Sequence, residues 1–106
     1  MAITQAINTY ILNIPVNTSN VRGVVRMNCA SGWTVTVQFQ QTGALPNNQL
    51  NVATKSMLAF APADSYEKAV DLLRYEKPTN ININEVATPP TLNLVTGNEP
   101  LGEGEA

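Results

Sequence analysis

The sequence predicts a mainly β domain: a five-stranded, strongly bent antiparallel sheet or small barrel, with one short α-helix before the last strand. The strongest observation is the segment 32–40, in which Trp33, Val35, Val37 and Phe39 alternate with polar residues. Successive side chains of a strand point to opposite faces, so this segment lays an apolar ribbon on one face and a polar ribbon on the other. The other observations are short β-branched segments bounded by turn residues, and one stretch with helical spacing. A chain of 106 residues has room for one domain.

Four further segments are predicted as strands because they are rich in β-branched and aromatic residues and are bounded by turn formers. They are residues 7–14, 21–29, 50–61 and 79–86. A polar turn at 17–20 separates the first two, and the tight connection 30–32 predicts an antiparallel hairpin between the second segment and the central strand. The continuously apolar stretch 57–61 indicates burial on both faces or a bend across the core. Gly23 stands alone in its strand, where it indicates a bulge or a close backbone approach.

One helix is predicted before the last strand. Asp64 takes the N-cap position and Glu67 follows three residues later, which is the capping-box arrangement with Asp in the cap. The packing face recurs at helical spacing and consists of Tyr66, Ala69, Val70 and Leu73. Arg74 and Lys77 suit the negative end of the helix dipole, and Pro78 ends the helix.

The composition changes after residue 86, which divides the chain into a domain at 1–86 and a tail at 87–106. The tail contains Pro89, Pro90, three glycines and three glutamates, so it is predicted to be flexible and acidic. Within it, residues 91–95 could add as a strand to the edge of a neighbouring molecule. Apolar runs are only a few residues long and the N-terminus lacks a basic stretch before an apolar run, so we expect a cytoplasmic protein without a membrane span or signal peptide.

Charge is sparse and unevenly distributed along the chain. Charged residues make up 13% of the sequence, histidine is absent, and uncharged Asn, Thr and Gln are abundant. Residues 1–63 contain Arg22, Arg26 and Lys55 and no acid, a net charge of +3, whereas residues 64–106 contain three cations and eight carboxylates, a net charge of −5. The low charge predicts either a surface covered by copies of the same chain or solvation by uncharged polar groups. A homo-oligomer would use both.

The residue types needed for catalysis do not come together in this sequence. No histidine is present to act as a general base, and the carboxylates are confined to the predicted helix and tail. Cys29 is the single cysteine, which excludes an intrachain disulfide, and it is interpreted as a small buried residue rather than a nucleophile, because no histidine can activate it. No Gly-rich phosphate loop is present. The sequence therefore predicts no enzyme activity, no cofactor, no metal and no small-molecule substrate.

The remaining candidates are residues for surface recognition. Arg22 and Arg26 are expected on one face of a strand, about 13 Å apart, which is near two phosphate spacings along an extended single strand. Asn28 is expected at the hairpin tip on that face, where it could bond to a base edge or form the turn. Trp33 could stack on a base, although its apolar neighbours favour the core. Alternatively, the arginines only solvate an exposed face.

The segment Val21-Arg22-Gly23-Val24-Val25, followed by Met27-Asn28 and an amphipathic central strand, is similar to the first motif of Sm and LSm proteins, in which a Gly-x-hydrophobic strand leads to a Met-Asn loop that touches RNA. The chain thus resembles the Sm/LSm small β-barrels, in a divergent form such as occurs in marine phage and metagenomic sequences. The resemblance implies a homo-oligomeric ring, formed by strand pairing between subunits, that binds single-stranded RNA or DNA in the host cytoplasm.

Four residues are predicted to carry that binding. Asn28 is carried over from the Sm motif, and Arg22, Arg26 and Lys55 are added from charge placement. The competing hypothesis is a phage structural or assembly protein, whose partners are copies of itself and other structural proteins, with no nucleic-acid ligand. Both hypotheses predict a homo-oligomer.

Overall fold

The structure, a computed structural model, describes residues 2–15, 20–41, 43–75 and 79–96. In chain order, these residues form β1 (Ala2–Asn13), β2 (Val21–Cys29), β3 (Thr34–Gln40), β4 (Gln49–Asn51), β5 (Ser56–Pro62), α1 (Tyr66–Tyr75), β6 (Thr79–Asn84) and β7 (Thr91–Thr96). The strands make one sheet in the order β4-β5-β3-β2-β1-β6-β7, curled into a half-barrel. The predicted mainly β class with one short helix is confirmed.

The prediction of five strands is wrong, because the described residues form seven. The segment 50–61 is two strands rather than one: a turn at 52–55 joins β4 to β5, and in it Asn51 Oδ1 accepts a hydrogen bond from the Thr54 N–H at 3.2 Å. The turn ends at Lys55, whose φ is +56°. The other added strand is β7, which pairs with β6 of the same chain rather than with a neighbour. Of the predicted tail, residues 97–106 lie outside the described residues.

The sequence had predicted an antiparallel sheet, and that prediction is wrong for one pair of strands. β3 and β5 run parallel from Thr34↔Ser56 to Gln40↔Pro62. Residues 41–48 carry the chain back to the starting end of β3, where β4 and β5 form their own antiparallel hairpin. By the end of β4 the chain is beside the start of β3 again, so β5 runs in the same direction as β3. The other pairs are antiparallel, including the predicted β2–β3 hairpin with its 3-10 turn at Ala30–Gly32.

One face of the sheet, here called the inner face, packs against α1 to form the core. Its buried side chains are Val25, Met27, Cys29, Trp33, Val35, Val37, Phe39, Met57, Ala59, Ile81 and Ile83 from the strands and their flanks, with Tyr66, Val70 and Leu73 from α1. The predicted alternation of the central strand and the predicted packing face of the helix are both confirmed.

Gly23 lies at the predicted bulge, and the group that approaches it closely is the side chain of Tyr66. The register of β2 against β3 shifts between Val21 and Gly23, which is the position of a bulge. A Cβ at Gly23 would lie 2.4 Å from Cε1 of the Tyr66 ring, closer than two carbon atoms can approach. The missing side chain therefore lets the first turn of α1 pack directly on β2.

The predicted capping box is wrong. The chain enters α1 through a 3-10 turn at Ala63–Ser65, so Asp64 lies inside that turn, and the cap of the turn, Pro62, makes no side-chain hydrogen bond. Glu67 instead accepts a hydrogen bond from Arg22, 45 residues away. The predicted turn at 17–20 lies outside the described residues except for residue 20, as do Lys77 and Pro78.

The α1 helix has 10 residues, and no helix among the described residues is long and apolar enough to cross a membrane.

Candidate interaction surfaces

The outer face of the sheet, opposite α1, is mostly polar and almost without charge, with apolar side chains at Ile11, Val24, Leu58 and Phe60. Cross-strand register places on it a set of amide and hydroxyl side chains: Thr4, Thr9, Asn13, Asn28, Thr34, Thr36, Gln38, Gln40, Gln49, Asn51, Asn80, Asn82, Asn84 and Asn93. Among the described strand residues of this face, Arg26 is the charged one. Such a face can offer hydrogen bonds over several strands, but it carries little electrostatic attraction of its own.

Arg26 is exposed on this face and lies in a row with Ile11 of β1 and Thr36 of β3. The guanidinium group has no hydrogen-bond or ion-pair partner within the part of the chain that the structure describes. Its five N–H donors are therefore available to a ligand. Of the four residues predicted for nucleic-acid binding, Arg26 alone keeps its charged group unengaged by the described residues.

The alternation of a regular strand had predicted that Arg22 lies on the same face as Arg26. That prediction is wrong. The bulge at Gly23 breaks that alternation, so the Arg22 side chain reaches toward α1. There, its Nη2 donates to Glu67 Oε2, and its guanidinium carbon lies 5.8 Å from the centroid of the Tyr66 ring. The ion pair and the cation–π contact both hold Arg22 against the start of α1.

Asn28 and Lys55 also have intramolecular partners near the β2–β3 hairpin tip. Asn28 Nδ2 donates to Thr9 Oγ1 at 3.2 Å, and Lys55 Nζ donates to the Ser31 carbonyl oxygen at 3.0 Å. The backbone oxygen of Lys55 also accepts from the Thr34 N–H at 3.0 Å. These contacts hold the hairpin connection in place. The four residues predicted to bind nucleic acid therefore do not come together at one site.

Trp33 and Cys29 are both withdrawn from ligands by burial, each being 6% exposed. Stacking of a base on Trp33 is therefore excluded in this conformation. Burial also raises the pKa of the Cys29 thiol to about 11, so the group is protonated at neutral pH and does not act as a nucleophile. The interpretation of Cys29 as a buried filler is confirmed.

The second half of β1 has an unpaired backbone edge. Residues 2–6 of β1 pair with β6, whereas residue 7 and residues 9–13 pair only with β2, on the opposite side of the strand, with a register shift at Asn8. On the side away from β2, the stretch from residue 8 to residue 14 has no strand partner among the described residues. We call this stretch the β1 free edge. It carries no charged residue, and three of its hydrophobic side chains are exposed: Ile11 by 56%, Leu12 by 37% and Ile14 by 62%.

The opposite ends of the sheet meet at a seam that sequence reasoning missed. Asn48 Oδ1 accepts from the Phe60 N–H at 2.9 Å, and Asn48 Nδ2 donates to the Pro90 carbonyl oxygen at 3.0 Å. One side chain thereby joins β5 to the residue that precedes β7. Beneath it lies an apolar cleft of about 180 Å³, lined by Phe39, Ala59, Ala61, Leu92 and Leu94 among others. The sequence offered only an Asn-Asn pair, which is typical of loops.

The described residues contain no group of three or more His, Cys, Asp or Glu side chains that could hold a metal ion. No known protein family, curated protein or solved structure matches the chain. The resemblance to Sm/LSm proteins therefore stays a prediction.

Proposed function

We propose that the protein is a non-enzymatic structural or assembly component that associates with copies of itself through strand edges. The observation that carries this proposal is the β1 free edge. Natural proteins protect such edges with Lys, Pro, charge or a covering element, because unpaired N–H and C=O groups are a template for pairing with another chain. Here the edge is uncharged and presents Ile11, Leu12 and Ile14 to solvent.

The outer face supports the same proposal. Copies that meet edge to edge bring their outer faces side by side, and a face without acids and with one arginine produces little repulsion between copies. The predicted low-charge surface of a homo-oligomer is in keeping with this arrangement. The ring form implied by the Sm resemblance is one way to assemble, and an edge contact does not require it.

The test is light scattering of the purified protein over a range of micromolar concentrations, at low and high salt. We expect a mass that is a multiple of the chain mass, unchanged or increased at high salt, because the contact is made by main-chain hydrogen bonds and apolar side chains. A monomer at every concentration would overturn the proposal.

A second candidate function is single-stranded nucleic-acid binding on the outer face. The observation that favours it is the unengaged guanidinium of Arg26, which lies among hydrogen-bonding Asn, Thr and Gln side chains. Arg22, Asn28 and Lys55 would first have to leave their intramolecular partners. One arginine per subunit binds weakly, so this function depends on several copies acting together.

Fluorescence anisotropy of a short labelled poly-uridine strand separates the two candidates. If the second function operates, Arg26→Ala lowers the affinity and reduces the slope of log K against log salt by about 0.7 for each phosphate that is no longer neutralised. Arg74→Ala, which removes the same charge from α1, is the matched control and should leave the slope unchanged. Equal effects of the two variants, or no binding at low salt, would count against a site at Arg26.

A further inference from the structure

We infer that two copies of the chain pair their β1 free edges antiparallel about a two-fold axis that passes through Ile11. This inference rests on the proposed function and specifies the contact surface, its partner and its register. The partner is a second copy of the same chain, and the contact continues the sheet of one subunit into that of the other.

The β1 free edge is the best suited of the sheet margins for this contact. On β4, the edge is only 3 residues long. On β7, Leu92 and Leu94 line the apolar cleft of the seam within their own chain, and none of its residues is among the large hydrophobic side chains that are exposed. Exposed large hydrophobic residues cluster on β1 and directly after it, at Ile11, Leu12 and Ile14, whereas β4 is followed by the single exposed Val52.

The sequence of the edge is self-complementary around Ile11. In antiparallel pairing about this residue, position i faces position 22 − i of the other copy, so Ile11 faces Ile11, Tyr10 faces Leu12, and Thr9 faces Asn13. Over residues 9–13, each apolar residue meets an apolar residue and each polar residue meets a polar one, whereas at the two ends of the edge Asn8 faces Ile14. Directly opposed pairs of this kind are the unit of stabilisation between strands.

The faces of the strand agree with the same register. Ile11 and Asn13 pair with Arg26 and Val24 of β2 and belong to the outer face, as does Thr9. Tyr10 and Leu12 pair with Met27 and Val25 and belong to the inner face. The Tyr10–Leu12 contacts between copies would therefore extend the apolar inner face across the axis, and the Thr9–Asn13 contacts would extend the polar outer face.

A charge placed at the axis tests the register directly. Ile11→Lys puts two like charges opposite each other, and we expect the dimer to weaken by at least about tenfold in light scattering or sedimentation. Val52→Lys is the matched control, since Val52 is 53% exposed, lies away from β1 and should leave the dimer intact. Ile11→Glu places a carboxylate opposite Arg26 of the same chain, so it should weaken the dimer less than Ile11→Lys does, and an equimolar mixture of the two variants should recover a heterodimer.

Crosslinking gives a second measurement that does not depend on weakening the dimer. The double variant Thr9→Cys, Asn13→Cys should form a disulfide-linked dimer under oxidation, because position 9 of one copy faces position 13 of the other. The Thr9→Cys single variant should not, since the two copies of position 9 are about 13 Å apart, beyond the reach of a disulfide. The buried Cys29 does not compete.

The outcomes separate this inference from the proposed function. A monomeric wild type overturns both. A wild-type oligomer that Ile11→Lys leaves intact, or that crosslinks equally well in the single variant, overturns the Ile11 register while self-association stands. A closed ring of more than two subunits also overturns the Ile11 register while self-association stands, because a two-fold edge contact closes at two subunits.

Discussion

The inner and outer faces of β2 and β3 share one backbone but are under opposite constraints. On the inner face, side chains are 0–6% exposed and their volumes are fixed by α1, to the point that Gly23 can carry no side chain. On the outer face, the same strands carry Arg26, Asn28 and a row of Thr and Gln residues that remain accessible. The difference teaches that the inner face carries the packing that stabilises the fold, whereas the outer face and the β1 free edge are the surfaces that the proposed association and binding would use.

The largest expected effect is that of filling the inner face at Gly23. Gly23→Ala should lower the free energy of unfolding by about 2 to 3 kcal/mol, because the new Cβ would lie 2.4 Å from the Tyr66 ring and force it to move. Urea unfolding measures the change. The same substitution in a Tyr66→Ala background should cost much less, since the obstructing ring is gone, and Val24→Ala, the outer-face neighbour, is the control. Equal costs with and without Tyr66 would contradict this packing.

Alkaline pH tests the inner face through Cys29. Burial raises the pKa of the thiol from 9.0 to about 11, so between these values the unfolded chain releases a proton that the folded chain retains. The stabilising contribution is complete below pH 9 and is lost as the pH rises through 11, by at most about 3 kcal/mol. Urea unfolding at pH 8 and at pH 10.5 should show this loss in the wild type and a smaller loss in Cys29→Ala, which serves as its control. Identical pH dependence of the two proteins would show that the thiol ionises as freely in the folded state as in the unfolded state.

A smaller effect is expected at the seam, where the opposite ends of the sheet meet. Asn48→Ala should cost about 1 to 2 kcal/mol of unfolding free energy, because the half-buried Phe60 N–H loses its acceptor and the Pro90 carbonyl loses its donor. Asn48→Asp keeps the acceptor and removes the donor, so it should cost less. The neighbouring Asn47→Ala should be near neutral, and a comparable loss there would show that the bridge does not hold the seam.

The inner face could be predicted from the sequence because its signal is local. Alternation at 33–39 and helical spacing at 66–73 each identify the buried residues without knowledge of the partners. Strand number was less predictable: the turn at 52–55 contains Thr54 and Lys55 without Gly or Pro, and it is held by Asn51 and by the left-handed backbone of Lys55. The parallel β3–β5 pair depends on the path of residues 41–48, which has no periodic pattern.

The candidate binding residues were harder to predict because their placement depends on distant partners. The direction of Arg22 is decided by a one-residue bulge and by Glu67, 45 positions away, and the engagement of Lys55 by the Ser31 carbonyl, 24 positions away. The sequence indicated a bulge at Gly23, but not its consequence for the neighbouring side chain. The sequence therefore shows where the cationic residues are in the chain, but it does not show which of them have an intramolecular partner in the folded protein.

The smallest expected effect concerns Arg22, and it sharpens the contrast with Arg26. The Arg22–Glu67 pair is solvent-accessible, with side-chain exposures of 43% and 68%, so a double-mutant cycle with Arg22→Gln and Glu67→Gln should give a coupling energy below about 1 kcal/mol that fades in 1 M salt. Because Glu67 already neutralises Arg22, Arg22→Gln should also change nucleic-acid affinity less than Arg26→Gln does. If Arg22→Gln had the larger effect on affinity, its guanidinium would have to leave Glu67 for the ligand. Binding would then take place on the α1 side of the sheet, and the division of roles between the two faces would fail at that position.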